Sequence, residues 1–296
     1  MSAATRLSTG LDFVEEYAAA AERLAVAVAW ADLRAPVAAC PRWSTYDLVV
    51  HVGNIHAWAA TIVETGRAAA EQNDEPAHAK PRTVSAWYAG KAEDLYQVLR
   101  EADPDAPCWN FAFGSGTVAF WPRRQLHETT IHHIDLEATR GRTPAVDPAV
   151  ARDGVDEVLR VFLHRMHTRG RPAALDRPLA LTASDTGDSW VVAPAPRDVS
   201  TPMLPAQSVG TRAESVPTPP PVVTRGPAVP ADVTDRVEAP AEVLYRLLWK
   251  RLAIQDAVDA EDAVGTKDTE DADGAGARLS GDDARVRAFL ASPLVP

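Results

Sequence analysis

Apolar residues recur at helical spacing through the first 140 positions, then give way to alternation and proline-rich breaks. In "LDFVEEYAAAAERLAVAVAWADL" (11–33), Leu11, Val14, Tyr17, Leu24 and Val28 fall near one face, so the pattern predicts a helix that Pro36 and Pro41 stop. "WSTYDLVVHVGNIHAWAATIVETG" (43–66) predicts a second helix. Ser44 is its expected N-cap, with Asp47 three residues on, and Gly66 its C-cap. A polar stretch over 71–82 reads as a loop, and "TVSAWYAGKAEDLYQVLR" (83–100) as a third helix with Val84, Trp87, Leu95 and Leu99 near one face. Proline and glycine punctuate 101–120 as a long connection. "WPRRQLHETTIHHIDLEATRG" (121–141) predicts a fourth helix, with Pro122 in its first turn. Four helices with one long crossover make a bundle.

Beyond residue 145 the pattern predicts an α+β domain. A helix is expected over 148–169, then paired strands at 177–184 and 189–195 around the turn "DTGD". Residues 202–230 are rich in proline and read as an exposed insertion. A strand over 231–239 and an amphipathic helix over 240–252 follow. Residues 254–276, and 256–276 most clearly, read as an acidic, solvated loop, and 277–292 as a short strand and a last helix. The expected class is therefore α+β: a four-helix bundle over 1–145 and a smaller α+β domain over 146–296.

Composition narrows the function. A chain of 296 residues with 46% hydrophobic positions can bury a sizeable core. A net charge of −11 argues against a nucleic-acid partner, which needs a basic face. No apolar run approaches the roughly 20 residues that span a bilayer, and the first residues lack the basic and apolar regions of a signal peptide. A cytoplasmic protein without a membrane partner is expected. Cys40 and Cys108 are the only cysteines, too few for a disulfide framework or a thiolate zinc cluster, and both read as inert thiols.

The candidate chemistry lies in "RRQLHETTIHHID" (123–135). Glu128 and His132 are four residues apart, one turn apart on one helix face. On the second helix His51 lies along the apolar stripe, three residues after Leu48 and four before Ile55. Imidazole and carboxylate are both zinc ligands, and facing helices of a bundle build such sites. His51, Glu128 and His132 are therefore expected around one divalent metal with positions left open. Asp135 would orient His132 or serve as a surface charge. A salt bridge from Arg124 to Glu128 is the competing reading of that face. His56, His127 and His133 are expected at the surface or behind the ligands. There is no glycine-rich phosphate loop or dinucleotide fingerprint, and "HETTIHH" departs from the H-E-x-x-H zincin pattern because His132 falls five positions after His127 rather than four.

On two stretches, "WSTYDLVVHVGNIH" and "WPRRQLHETTIHHIDLE", the chain resembles the mycothiol-dependent maleylpyruvate isomerase family, whose N-terminal domain is a DinB-like metal-binding bundle. Trp43, Ser44, Asp47, Leu48 and His51 match the first family pattern; Arg124 or a neighbour, His127, Glu128, His132 and Asp135 match the second. "APAEVLYRLLWKRL" and "LSGDDARVRAFLAS" are similar to its C-terminal domain. The resemblance implies zinc on His51, Glu128 and His132, with mycothiol as the low-molecular-weight thiol cosubstrate. It also implies a chemistry: thiolate addition to a cis double bond, rotation, and elimination to the trans isomer. Substrate carboxylates would need an arginine, with Arg251 the first candidate and Arg82 and Arg124 the next. A mycothiol S-transferase acting on an electrophile, and a metal-binding regulatory module without turnover, are the alternatives. A monomer or homodimer acting on a small molecule is expected.

Overall fold

A computed structural model describes residues 10–71, 73–196, 219–264 and 276–296. Most of the expected proline-rich insertion, much of the acidic loop and residues 1–9 lie outside the described residues. The chain divides into two compact units: residues through Glu157 joined by Tyr245–Ala253, and Val158–Leu244 joined by Ile254–Pro296. The first division falls after Glu157, not after residue 145, because the helix that begins at Pro148 packs with the bundle.

The first unit is built on helices α1 (Phe13–Val28), α2 (Thr45–Thr65), α3 (Pro81–Glu101) and α4 (Phe120–Ala138). Helix α1 packs on α3 and α4, and α2 packs on the same two. Asp12 caps α1, whose last turn ends at Val28, short of the expected residue 33. The α2 boundaries are those its sequence dictates. Ser44 and Asp47 form a reciprocal capping box, and Gly66 ends the helix at φ +67°, a conformation glycine adopts without strain. Tyr17, Leu24, Leu48, Ile62, Tyr88, Leu95 and Trp121 fill the interior, each fully buried. The connection from α3 to α4 contains a two-residue ladder, β1 (Pro107–Cys108) against β2 (Gly116–Thr117). Helix α5 (Pro148–Glu157) completes the run; a π-helical turn over Val158–Phe162 and α6 (Leu163–Thr168) continue it into the second unit.

The second unit contains, among the described residues, one five-stranded sheet in the order β5-β4-β3-β6-β7. Its strands are β3 (Leu179–Ala183), β4 (Ser189–Ala193), β5 (Val222–Gly226), β6 (Asp235–Ala239) and β7 (Arg278–Ser280). All pairings are antiparallel except β3 with β6. Strand β5 corrects the expectation that 202–230 is wholly insertion: Val222, Val223 and Thr224 are β-branched and add an edge to β4, and prolines are tolerated just before an edge strand. Helix α7 (Ala241–Leu248) follows β6, and α9 (Asp283–Ala291), capped by Asp282, packs on β6 and β7. The acidic stretch is likewise corrected over Ile254–Val264, which forms helix α8: its alanines favour helix, and Ala257 is buried. No described helix is long and apolar enough to cross a membrane.

Candidate metal centre

The capping box fixes the first turn of α2. Ser44 N donates to Asp47 Oδ2 at 2.8 Å, and Asp47 N donates to Ser44 Oγ at 3.3 Å. The preceding chain is tied down by Tyr46 N to Leu33 O at 2.9 Å and by Thr45 N to Ala35 O at 2.9 Å. This sets Trp43 against His51, with ring centroids 4.6 Å apart. Helix α4 brings the other two groups. His51 Nε2 lies 3.4 Å from Glu128 Oε1, and His132 Nε2 lies 3.3 Å from the same oxygen. One ligand atom from each of the three residues lies within 4.8 Å of the others.

Two arrangements have characteristic distances. A charge-assisted N–H···O bond contracts to about 2.7–2.9 Å. Ligands at 2.0–2.2 Å around a tetrahedral zinc stand about 3.3–3.5 Å apart. The edges of 3.4 and 3.3 Å lie close to the second figure, so the donor set fits a divalent cation.

The surroundings orient each ligand. Asp135 Oδ2 accepts from His132 Nδ1 at 3.0 Å, which leaves Nε2 facing Glu128. Arg251 donates to both oxygens of Asp135, Nε to Oδ1 at 2.9 Å and Nη2 to Oδ2 at 2.7 Å, and its Nη1 donates to the Trp249 carbonyl. Glu128 Oε2 accepts from Arg124 Nη2 at 3.0 Å, and Arg124 Nη1 donates to the buried Glu157. The guanidinium of Arg124 lies 5.2 Å from the Trp249 ring. Titration follows from this packing. Burial alone would lower the His132 pKa, but the hydrogen bond to Asp135 and the neighbouring Glu128 carboxylate outweigh it and push it up to about 9. Burial would raise Glu128, but the His132 and His51 imidazoles beside it, with the Arg124 guanidinium, hold it well below the usual carboxylate range. Burial pushes the Cys40 thiol up, and the Asp135 carboxylate adds to that.

Residues 14–137 match the family model of the mycothiol maleylpyruvate isomerase N-terminal domain. Over that stretch the chain is similar to the family's N-terminal domain. A crystal structure of the mycothiol-dependent maleylpyruvate isomerase aligns with a TM-score of 0.50 and 12% identity, over 83% of this chain and 91% of that one. A histidine-to-alanine mutant of that enzyme aligns equally well at 10% identity. At such identities the likeness is one of fold, and it extends over both units. No curated protein matches the chain.

Within this domain the sequence-expected ligands His51, Glu128 and His132 come together. The three arginines divide. Arg251 reaches the site but is engaged by Asp135. Arg124 is 2% exposed and engaged by two carboxylates. Arg82 is exposed at the start of α3, in no described interaction of the site. Two histidines expected at the surface or behind the ligands are core residues instead. His56 is fully buried, with Nδ1 2.8 Å from Gln125 Oε1 and Nε2 3.2 Å from Tyr88 Oη. His127 is fully buried, with Nε2 2.8 Å from Asp153 Oδ2. The physical reason for His127 is that α4 is covered on nearly every side, so its polar residues find partners inside; His56, on α2, is paired by Gln125 of α4 and Tyr88 of α3. Glu157 and Trp43 complete the surroundings. Trp43 carried a sequence signal in the start of α2, whereas Glu157 carried none.

Proposed function

We propose that the protein is a metal-dependent enzyme using mycothiol, or a closely similar low-molecular-weight thiol, in an isomerisation of the maleylpyruvate type. The observation that carries this reading is the convergence of His51, Glu128 and His132 with edges of 3.3 and 3.4 Å. A divalent ion held there, zinc by the chemistry of the donors, would supply an open position at which a thiol gives up its proton. The chain's own residues set the rest. Asp135 accepts a hydrogen bond from His132 Nδ1–H, so the neutral ring presents a lone pair on Nε2. Arg251 fixes Asp135 in turn. Trp43 lies against both ligand imidazoles, 4.6 Å from His51 and 6.2 Å from His132 between centroids, and shields that side from water. A cavity of about 230 Å³ borders His51 and gives a small molecule access. The thiolate adds to the cis double bond, rotation follows about the new single bond, and elimination returns the thiol with the trans product.

One observation favours a second reading. The cavity is lined by Asp47, Glu71 and Glu75, and by no lysine or arginine among its described residues. Such a wall suits an uncharged molecule better than a dicarboxylate, which supports thiol transfer to a neutral electrophile. The test is a paired turnover assay on zinc-loaded protein, with and without mycothiol. Maleylpyruvate is followed by loss of its absorbance, and a neutral electrophile by conjugate formation. Thiol-dependent turnover of maleylpyruvate that His51→Ala abolishes supports isomerisation. Turnover of the electrophile alone moves the assignment to a transferase. Turnover of neither by metal-loaded protein sinks both readings.

A further inference from the structure

We propose that Glu157 is a positioning residue for the metal carboxylate: it holds and charge-balances Arg124, whose guanidinium keeps Glu128 a one-oxygen ligand. The inference rests on the metal reading above and concerns a residue outside the ligand set. The two oxygens of Glu128 have different surroundings. Oε1 faces both histidine Nε2 atoms, at 3.4 and 3.3 Å. Oε2 accepts from Arg124 Nη2 at 3.0 Å. With that oxygen held by a guanidinium, only Oε1 is free for a cation.

Arg124 alone would serve this purpose badly. A full positive charge on the ligand carboxylate withdraws its charge and repels a metal ion nearby. Glu157, 1% exposed at the end of α5, bonds the other terminal nitrogen of the same guanidinium. The group Glu128–Arg124–Glu157 then carries one net negative charge, and Glu128 keeps its donor strength. Two bonds on a planar fork also fix its orientation, and the Trp249 ring 5.2 Å away lies against the guanidinium. Stability does not explain the pair, because a buried ion pair is often no better than apolar residues of the same volume.

The test uses cobalt-loaded and zinc-loaded full-length protein in three forms: wild type, Glu157→Gln, and the double variant Arg124→Met with Glu157→Gln. The double variant removes both buried charges together, so it remains informative if the single variant fails to fold. Glu157→Gln is expected to bind zinc about 10-fold more weakly, with the visible cobalt band unchanged because Arg124 still holds Oε2. The double variant is expected to show a weaker, shifted cobalt band as Glu128 turns to two-oxygen ligation. Wild type that binds cobalt, beside folded variants with the same affinity and the same band, overturns this inference alone. Wild type that takes up no cobalt overturns the metal reading and the inference with it.

Discussion

Asp135→Asn tests how the ligand shell is held. Asp135 is 2% exposed and accepts three hydrogen bonds: from His132 Nδ1 at 3.0 Å, and from Arg251 Nε and Nη2 at 2.9 and 2.7 Å. Asparagine keeps the shape but replaces one acceptor oxygen with a donor, so an N–H meets an N–H at one of these positions. Two effects follow and can be measured apart. The first acts on His132, whose tautomer and ring angle are no longer fixed. Loss of such an outer partner weakens metal binding by about 10- to 100-fold, or about 1.4–2.7 kcal/mol. The second acts on the fold, because Arg251 loses a charged acceptor. Hydrogen bonds to charged groups contribute about 1.5–3 kcal/mol, and the slight exposure of Arg251 keeps the expected loss near the lower end, at about 2 kcal/mol. Competition against a chromophoric chelator reads the first, and denaturant unfolding of metal-free protein reads the second. A variant that loses the stability but binds zinc within threefold of wild type refutes the argument that Asp135 orients His132.

Three further outcomes are expected. Burial lowers the pKa of His56 to about 4 from 6.5, so between these values the unfolded chain binds the proton and the folded chain does not. Stability should hold above pH 6.5 and fall by about 3 kcal/mol as the pH drops to 4; pH-dependent melts should show this loss, and an undiminished loss in a folded His56→Gln variant would contradict the assignment. His132, raised to about 9 in the metal-free protein, must give up its proton to bind a cation, so zinc affinity should rise with pH up to about 9 with release of one proton. Calorimetry in buffers of different ionisation enthalpy reads that proton, and a pH-independent affinity between 7 and 9 would exclude the competition. Lys250 sits at φ +62° where α7 ends, with Lys250 N bonded to Leu247 O at 3.1 Å and Arg251 N to Arg246 O at 2.7 Å, a Schellman closure. Lys250→Gly should stabilise by about 0.5–1 kcal/mol, and a loss of stability would show that the lysine side chain matters more than the backbone.

Much of this architecture is legible locally. The α2 boundaries follow from Ser44, Asp47 and Gly66, and the centre from the four-residue step between Glu128 and His132 plus a histidine on an apolar stripe. Each signal lies within one turn of helix, where spacing determines geometry. The unread parts depend on distant partners. Arg124 and Glu128 advertise a salt bridge four residues apart, but nothing near Glu157 announces that it shares the same guanidinium. His127 looks solvated among polar neighbours, because burial of α4 on nearly all sides erases its amphipathic pattern. Strand β5 lay in a stretch dominated by proline, and only its partner β4, roughly thirty residues earlier, makes it a strand. Where tertiary contact satisfies a buried polar group, the sequence carries the group but not the partner.

The central claim is that α2 and α4 share one metal ion. Its most direct test is elemental analysis of reconstituted wild type beside His51→Ala and His132→Ala, each shown to be folded. The account predicts close to one zinc per chain in wild type and almost none in either variant. Metal-free wild type after reconstitution, or full zinc in either variant, would contradict it and leave Glu128 as the partner of Arg124 alone.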